Sequence, residues 1–399
     1  MTPEDLAALA GPAGQELLAE LRDHDPADEL ATATRLRRRY DAPLVSAALG
    51  QARLRQRAAA KFAPEDAARM YFTPAGVEQA TRATVAAYRA RRFRELGVRR
   101  VADLCSGIGG DVMALARAGI EVLAVDRDPL TCAVAAANVA ALGLSELVEV
   151  RCADVTEVDP AGREGCDAVF VDPARRTGRG RTFDPEAYSP PLSWAVGAAR
   201  AVPFAAVKAA PGIPHEAVPE EAEAEWVSDR GDVKEAALWF GTGPGTVRAT
   251  LLPGGASLTG AGPPPEALVR PVGRYLYEPD GAVVRAHLVA AVAEELGGGL
   301  VDPTIAYVTA DAARPTPYAA GYEITDVLPF NLKRLKALLR ERGVGRLTVK
   351  KRGSAVEPEE VRRRVRPQGP NEAVVFLTRV AGAPSMLVGA PLRDGGSAG

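Results

Sequence analysis

"VADLCSGIGGDVMALARAGIEVLAVDRDP", residues 101–129, decides the fold. An apolar run, VADL, enters a glycine-rich turn, CSGIGG, and the helical stretch DVMALARA follows. A glycine then stops the helix, and a second apolar run, EVLAV, ends on Asp126. Strand, turn, helix, strand is the opening unit of an open parallel sheet, which binds ligands at the carboxyl ends of its strands. The glycines let the backbone approach a ligand closely, and the helix N-terminus offers free amides.

The same alternation continues outward from this unit. "LVEVRCAD", "DAVFVDP", "FAAVKAAP", "EWVSD" and "KEAALWF" are short apolar runs set between helical segments, so a mainly parallel sheet is expected to about residue 252. "KEAALWF" and "TVRATLLP" are separated only by "GTGPG", a link short enough for an antiparallel hairpin at the sheet edge. Upstream, "PEDLAALA", "APLVSAALGQARLRQRAAAKF" and "TPAGVEQATRATVAAYRARRFREL" space their apolar residues by three and four, the helical period. Downstream, "LLPGGASLTGAGPPPEA" is a Gly/Pro boundary. "GAVVRAHLVAAVAEEL" then reads as one helix, and "LPFNLKRLKALLRERG", "RLTVKKRG", "EPEEVRRRVR" and "NEAVVFLTRV" read as helix, strand, helix, strand. The expected division is a helical domain at 1–96, a Rossmann-like α/β domain at 97–262, a connecting region at 263–321, an α+β domain at 322–392 and a disordered tail at 393–399.

Composition bounds the function. At 399 residues the chain holds two or three domains, and 47 % hydrophobic with 25 % charged residues is an ordinary soluble balance. No apolar run is long enough to span a membrane, and the acidic N-terminus is no signal peptide, so a cytoplasmic protein is expected. Cys105, Cys132, Cys152 and Cys166 form no Cys-x-x-Cys pair, and three histidines do not complete a zinc site, so buried reduced thiols and no metal are expected.

The choice of ligand rests on acids. A dinucleotide fingerprint requires a small third residue after Gly107 and Gly109, and the chain has Val112 there. Asp103 stands before the turn, where a carboxylate can reach an ammonium group. Asp126 ends the second strand, where it can accept two ribose hydroxyls, and Asp154 ends the third, where it can accept from an adenine amine. Three acids on one sheet edge fit S-adenosyl-L-methionine. The plainer alternative is that they are helix N-caps following strands.

Residues 98–175 resemble a class I methyltransferase, with "DLCSGIGG", "VDRD", "CADV" and "VDPA" standing where that family has its first four motifs. "AAANVAALGL" and the upstream "YFTPAGVEQATR" are similar to segments of the trimethylguanosine synthase branch, and residues 322–392 resemble a THUMP-like domain. The resemblance implies that Cys105, Ser106, Gly107 and Gly109 of the turn, Thr73 upstream, and Arg127 and Val155 beside the second and third acids also contact S-adenosyl-L-methionine.

"VFVDPARRTGRGR" ends the fourth strand, where the acceptor must lie. Enzymes that methylate an exocyclic amine commonly carry Asp/Asn/Ser-Pro-Pro-aromatic here. The chain offers Asp172 and Pro173 as the catalytic acceptors of an amine proton, then Ala174 and Arg175 in place of proline and ring. Arg175 can stack on a base, or Phe183, Tyr188, Tyr71 or Phe72 can supply the ring. Arg175, Arg176, Arg179 and Arg181, interspersed with Gly178 and Gly180, form a loop suited to phosphate. Residues 330–366 hold 13 Lys and Arg against four Glu in a chain of net charge −2; Lys333, Lys336, Lys350, Lys351, Arg352, Arg362, Arg363 and Arg364 are the candidate substrate platform, with Lys350, Lys351 and Arg352 as its central contacts. The reading is a methyltransferase acting on a base in RNA, tRNA or rRNA. Its rivals are an RNA-binding protein with an inactive methyltransferase domain, and a methyltransferase of a small molecule or a protein.

Overall fold

The computed structural model describes residues 1–177, 180–181, 184–263 and 265–392. Arg179, Gly178, Phe183 and the expected tail at 393–399 lie outside these. The chain divides into two compact units. One comprises Met1–Glu223 with Glu235–Pro244, and the other Ala224–Lys234 with the chain from Gly245 onward.

The first unit begins with helices only. Pro3–Ala10, Pro12–Glu20, Glu29–Leu36 and Ala42–Ala58 lead to Pro64–Ala67, Pro74–Gln79 and Ala83–Glu95. Thr2 starts the series with a capping box, accepting from the Asp5 amide while Asp5 accepts from its own. Leu9, Leu17, Leu36, Val45 and Phe72 bury their side chains together, and Ile108, Met113 and Val134 from the sheet's connections join that core.

The sheet of this unit is built from β1 (Arg100–Leu104), β2 (Glu121–Asp126), β3 (Val148–Cys152), β4 (Ala168–Val171), two-residue strands β5 (Arg176–Thr177) and β6 (Gly180–Arg181), which form a separate ladder, and β7 (Phe204–Ala209). β8 (Glu223–Asp229) follows, and β9 (Asp232–Phe240) returns to it. The strand order is β9-β7-β4-β1-β2-β3. All neighbours are parallel except β9, which runs antiparallel to β7. β4 is buried throughout and β1 nearly so, as strands covered on both faces must be. Connections from β1 go one way to β2 and the other side of β1 faces β4, so the strand order reverses between β1 and β4. That switch point opens a crevice at the carboxyl ends, between Leu104 and Val171.

In the second unit β10 (Thr246–Leu252) pairs in parallel with β8 and antiparallel with β11 (Ala256–Ala261). The hairpin expected between "KEAALWF" and "TVRATLLP" is therefore absent. The tight turn is earlier, at Arg230 and Gly231, whose φ of 54° and 83° are the left-handed pair of a two-residue hairpin turn. A seven-stranded sheet follows: β12 (Tyr275–Pro279), β13 (Gly299–Asp302), β14 (Ile305–Ala310), β15 (Ala319–Pro329), β16 (Val344–Lys351), β17 (Asn371–Val380) and β18 (Ala383–Pro391), in the order β13-β14-β12-β15-β18-β17-β16. Residue 322 falls inside β15, and the strands before it share its sheet. Helices Leu332–Glu341 and Pro358–Val365 cover one face through Leu335, Leu339, Val361 and Val365. The single helix expected at 281–296 is two, Gly281–Arg285 and Val289–Glu295, broken where His287 turns to φ 57°.

Candidate active site

The turn after β1 is held open by backbone geometry. Cys105, Gly107 and Gly109 have φ of 68°, 57° and 90°, and Gly109 is the N-cap of helix Gly110–Arg117. A glycine adopts such angles freely, whereas Cys105 is in a conformation side chains rarely tolerate, as happens at ligand-binding turns. The Cys105 and Ser106 amides both donate to the Val125 carbonyl, at 2.9 and 3.0 Å, which ties the turn to β2. Asp126 completes the tie: Oδ2 accepts from the Gly107 amide and Oδ1 from the Asp128 amide, each at 3.0 Å. Each carboxylate oxygen keeps a second lone pair, so this fastening orients Asp126 without using it up.

Asp103 is 1 % exposed, and neither of its carboxylate oxygens has a hydrogen-bond partner among the described residues. Burial, then Asp111 and Asp172, push its carboxyl well above the usual range against the pull of Arg89 and Lys208. The Ser106 hydroxyl is likewise buried and without a partner. Orphaned buried polar atoms cost free energy, and a pocket that keeps three of them is shaped for a polar ligand. An ammonium group would answer the carboxylate, so the turn fits the methionine end of S-adenosylmethionine.

Asp154 takes the plainer role as well as leaving room for the other. It caps the short helix Val155–Glu157, Oδ1 accepting from the Thr156 amide at 2.9 Å and hydroxyl at 2.7 Å, and these bonds hold its carboxyl below the usual range. Oδ2 has no partner among the described residues. Val155 is buried and Arg127 is exposed. Thr73 caps helix Pro74–Gln79 by accepting from the Gly76 amide at 2.9 Å.

Asn138, inside the "AAANVAALGL" stretch, and Gln51, outside the quoted motifs, fix that upstream segment. Asn138 is fully buried in helix Pro129–Ala141. It accepts from the Tyr71 amide at 2.6 Å and donates to the carbonyls of Tyr71 and Ile108, both at 3.1 Å. Gln51 brackets Phe72, accepting from its amide at 3.0 Å and donating to its carbonyl at 2.7 Å. A Cβ on Gly76 would stand 2.6 Å from the Ile108 side chain, so only glycine lets the segment rest on the turn. A lone Asn in an apolar helix was the available signal for Asn138, and Gln51, one of two glutamines in its helix, carried none.

At the end of β4, the Asp172 amide donates to the Leu104 carbonyl at 3.2 Å, joining β4 to the end of β1. Oδ2 accepts from Lys208 Nζ at 2.7 Å. Lys208 lies on β7, is 6 % exposed, and also donates to Thr81 Oγ1 at 2.9 Å. Arg89, 2 % exposed, pairs with Asp111 and Glu235 and lies over the Phe170 ring at 4.2 Å. Pro173 is buried and Arg175 partly so. Arg176 and Arg181 are opposite in the short β5–β6 ladder. The rings proposed for base stacking are occupied elsewhere: Tyr71, Phe72 and Tyr188 are 4 %, 0 % and 3 % exposed, because each is packed into the core. Of the thiols, Cys132 and Cys166 are buried as expected, Cys105 is partly so, and Cys152 is exposed at the end of β3.

Lys350, Lys351 and Arg352 lie in the second unit and are committed to internal partners. Lys350 pairs with Glu278, Lys351 with Glu357, and Arg352 donates to the Ala306 carbonyl at 3.1 Å over the Tyr307 ring. Sequence could not show this, since Glu278 is 72 residues from Lys350. Exposed cations with no ion-pair partner among the described residues stand instead on the two helices: Lys333, Arg334, Lys336 and Arg340 on the first, Arg363 and Arg366 at the second.

Three stretches match known families. Residues 98–188 match RNA cap guanine-N2 methyltransferase, 319–391 the THUMP domain-like family, and 2–58 a domain of unknown function. Curated S-adenosylmethionine-dependent methyltransferases from two strains of Mycobacterium tuberculosis are 36 % identical over 337 residues, 82 % of this chain and 90 % of theirs. The crystal structure of a protein provisionally assigned as a methyltransferase, from Porphyromonas gingivalis W83, shares the fold at a TM-score of 0.76, with 21 % identity over 92 % of this chain and 99 % of that one. No helix among the described residues is long and apolar enough to cross a membrane, and no group of three His, Cys, Asp or Glu there can hold a metal. With more than a third of its residues shared across four fifths of its length, the chain belongs to the S-adenosylmethionine-dependent methyltransferases.

Proposed function

We propose that this methyltransferase modifies a base in RNA, tRNA or rRNA, in the cytoplasm, with Asp172 and Pro173 facing the acceptor. The observation that carries the reading is a set of six cations without ion-pair partners among the described residues, five on helices Leu332–Glu341 and Pro358–Val365 and Arg366 just past the second, in the part of the chain that matches the THUMP domain-like family. Leu335, Leu339, Val361 and Val365 turn inward, so the cations are left on the outer faces of the pair. Phosphates are the ligand such a surface suits, and few aromatic residues accompany it, which favours contacts to backbone and shape. The match of residues 98–188 to an RNA methyltransferase family supports the same substrate class.

S-adenosylmethionine supplies an electrophilic methyl group when bound. The residues proposed to hold it are Asp103, Cys105, Ser106, Gly107 and Gly109 at the turn, Asp126 and Arg127 after β2, Asp154 and Val155 after β3, and Thr73 upstream. Asp172 accepts an N–H of the nucleophile, which directs the nitrogen lone pair toward the methyl group and gives the departing proton a place to go. Arg175 offers a guanidinium plane to the base, and Arg176 and Arg179 are proposed for phosphate. Lys350, Lys351 and Arg352 leave the platform because all three already have partners, and Lys333, Lys336 and Arg363 on the helix pair remain in it.

Mass spectrometry of nucleosides from a deletion strain, compared with its parent, tests the reading. Loss of one methylated nucleoside from tRNA or rRNA, restored by the wild-type chain and not by Asp172→Ala, is expected. An unchanged nucleoside profile refutes RNA as the substrate.

A further inference from the structure

β7 carries a lysine in the midst of an apolar strand. Its neighbours Val207 and Ala209 are fully buried, and Lys208 itself is 6 % exposed. An ammonium taken out of water costs several kcal/mol, on the order of the penalty for any buried ion, unless acceptors surround it. Here they do: Asp172 Oδ2 at 2.7 Å, Thr81 Oγ1 at 2.9 Å and Glu235 Oε2 at 3.9 Å. The pull of Asp172, Glu235 and Asp111 outweighs burial and the repulsion of Arg89, raising the affinity of Lys208 for its proton.

The contact with Asp172 is one-sided. Oδ2 is taken by the ammonium, Oδ1 has no partner among the described residues, and the Asp172 side chain keeps 25 % exposure against 7 % for Lys208. The Asp172 backbone is held by Leu104. A carboxylate fixed at its backbone and at one oxygen has one oxygen left, in one place.

We propose that Lys208 is the positioning residue of the methyl-transfer site, holding Asp172 by Oδ2 so that Oδ1 is the oxygen presented to the acceptor and to the positively charged sulfur of the cofactor. The proposal rests on Asp172 being the group that faces the acceptor. Thr81, from the helical segment ahead of the sheet, is the second anchor, so that segment also sets the angle of Asp172. The charged and titratable groups around Asp172 are Lys208 on β7, Asp103 on β1, Cys105 in the turn, and Arg89 on the helix Ala83–Glu95. Glu235 on β9 and Asp111 on the helix Gly110–Arg117 face Lys208 in turn.

The experiment needs no methyl acceptor. Full-length protein is titrated calorimetrically with S-adenosylmethionine and with S-adenosylhomocysteine from pH 5.5 to 8. The ratio of the two affinities reports how far the site favours a sulfonium over a neutral thioether. Asp172→Asn is expected to shift that ratio at least threefold toward the thioether at every pH. Lys208→Met is expected to shift the ratio toward the thioether across the range, in the same direction as Asp172→Asn, while Lys208→Arg, which keeps a charged donor, stays with the wild type. Thermal melting accompanies each variant. If Lys208→Met does not fold, Lys208→Gln, which keeps a donor without the charge, is held to the same expectation. A Lys208→Met or Lys208→Gln protein whose ratio equals that of the wild type overturns the positioning role, as does a Lys208→Arg protein that behaves like Lys208→Met. An unchanged ratio in Asp172→Asn overturns instead the placement of Asp172 at the methyl group.

Discussion

Asp103 makes the most exacting prediction. Its carboxyl is buried, lacks a partner at both oxygens, and is pushed well above the usual range by burial and by Asp111 and Asp172. If it receives the ammonium of the cofactor, the arriving cation favours the ionised form, so binding must expel the proton. The sign follows. While the ligand-free carboxyl is protonated and the bound one is not, affinity rises with pH, by up to about tenfold per unit for one proton released. Above that window the contact is an ordinary charge-assisted hydrogen bond, and Asp103→Asn then weakens binding by about 1.5–3 kcal/mol, roughly 10- to 150-fold. Calorimetry with S-adenosylhomocysteine between pH 5 and 7, where the ligand's amine stays protonated, measures the slope. Two buffers of different ionisation enthalpy count the proton directly. Asp111, Asp172, Arg89 and Lys208 remain in Asp103→Asn, so the difference between the proteins isolates Asp103. Wild type that releases no proton, or a slope that persists in Asp103→Asn, refutes the reasoning.

Asp126→Ala strands two ribose hydroxyls and frees the turn it ties down, so affinity for S-adenosylhomocysteine should fall by about 1.5–3 kcal/mol by calorimetry, and NAD should not bind at all. Asp172→Ala should abolish methyl transfer to RNA from the deletion strain while cofactor affinity stays within a few-fold, which parallel loss of both would contradict. Charge reversal at Lys333, Lys336 and Arg340 together should weaken RNA binding and lessen the log–log salt slope by roughly 2 to 3, about 0.7–0.9 for each phosphate no longer neutralised, whereas Lys350→Ala should leave the slope unchanged. Asn138→Ala removes the bridge from Tyr71 to Ile108 and should lower stability by about 1–3 kcal/mol in urea unfolding.

The alternation of strand and helix from residue 98 to residue 240 was legible because apolar periods of two kinds and glycine turns are local signals. So were Asp103, Asp126 and Asp172, whose place follows from ending a strand. The hairpin misassigned after β9 shows where locality fails: "GTGPG" has the composition of a turn, but Arg230–Gly231 has the conformation. The cations failed differently. Lys350 sits in the most basic stretch of the chain, yet its charge is matched by Glu278, 72 residues away, and a count of nearby residues cannot include a partner brought by the fold. Lys208, Arg89 and Glu235 were invisible for the same reason. A single charge in an apolar strand or helix looks like a tolerated edge until three distant elements place it against its opposites.

That buried group is also unbalanced. Asp103, Asp111, Asp172 and Glu235 are four carboxylates, and Arg89 and Lys208 are the two cations among them. Proteins seldom keep unmatched carboxylates away from water, since each must find a counter-charge or hold a proton. The raised proton affinity of Asp103 is how the ligand-free chain meets part of this excess. A ligand that brings an ammonium and a sulfonium meets it without the proton. The acid excess is then a property of a site shaped for a cation, and the fold carries its cost while waiting. It follows that the ligand-free protein should lose stability as the pH rises from the usual carboxylate range through the raised value of Asp103, because the folded state holds that proton and the unfolded chain has released it. Asp103→Asn should flatten that decline in melting temperature. S-adenosylmethionine and S-adenosylhomocysteine both bring the ammonium, so each should cancel it at concentrations giving equal occupancy at neutral pH. Cancellation by S-adenosylmethionine alone would mean that the charge on sulfur, and not the ammonium, displaces the proton of Asp103.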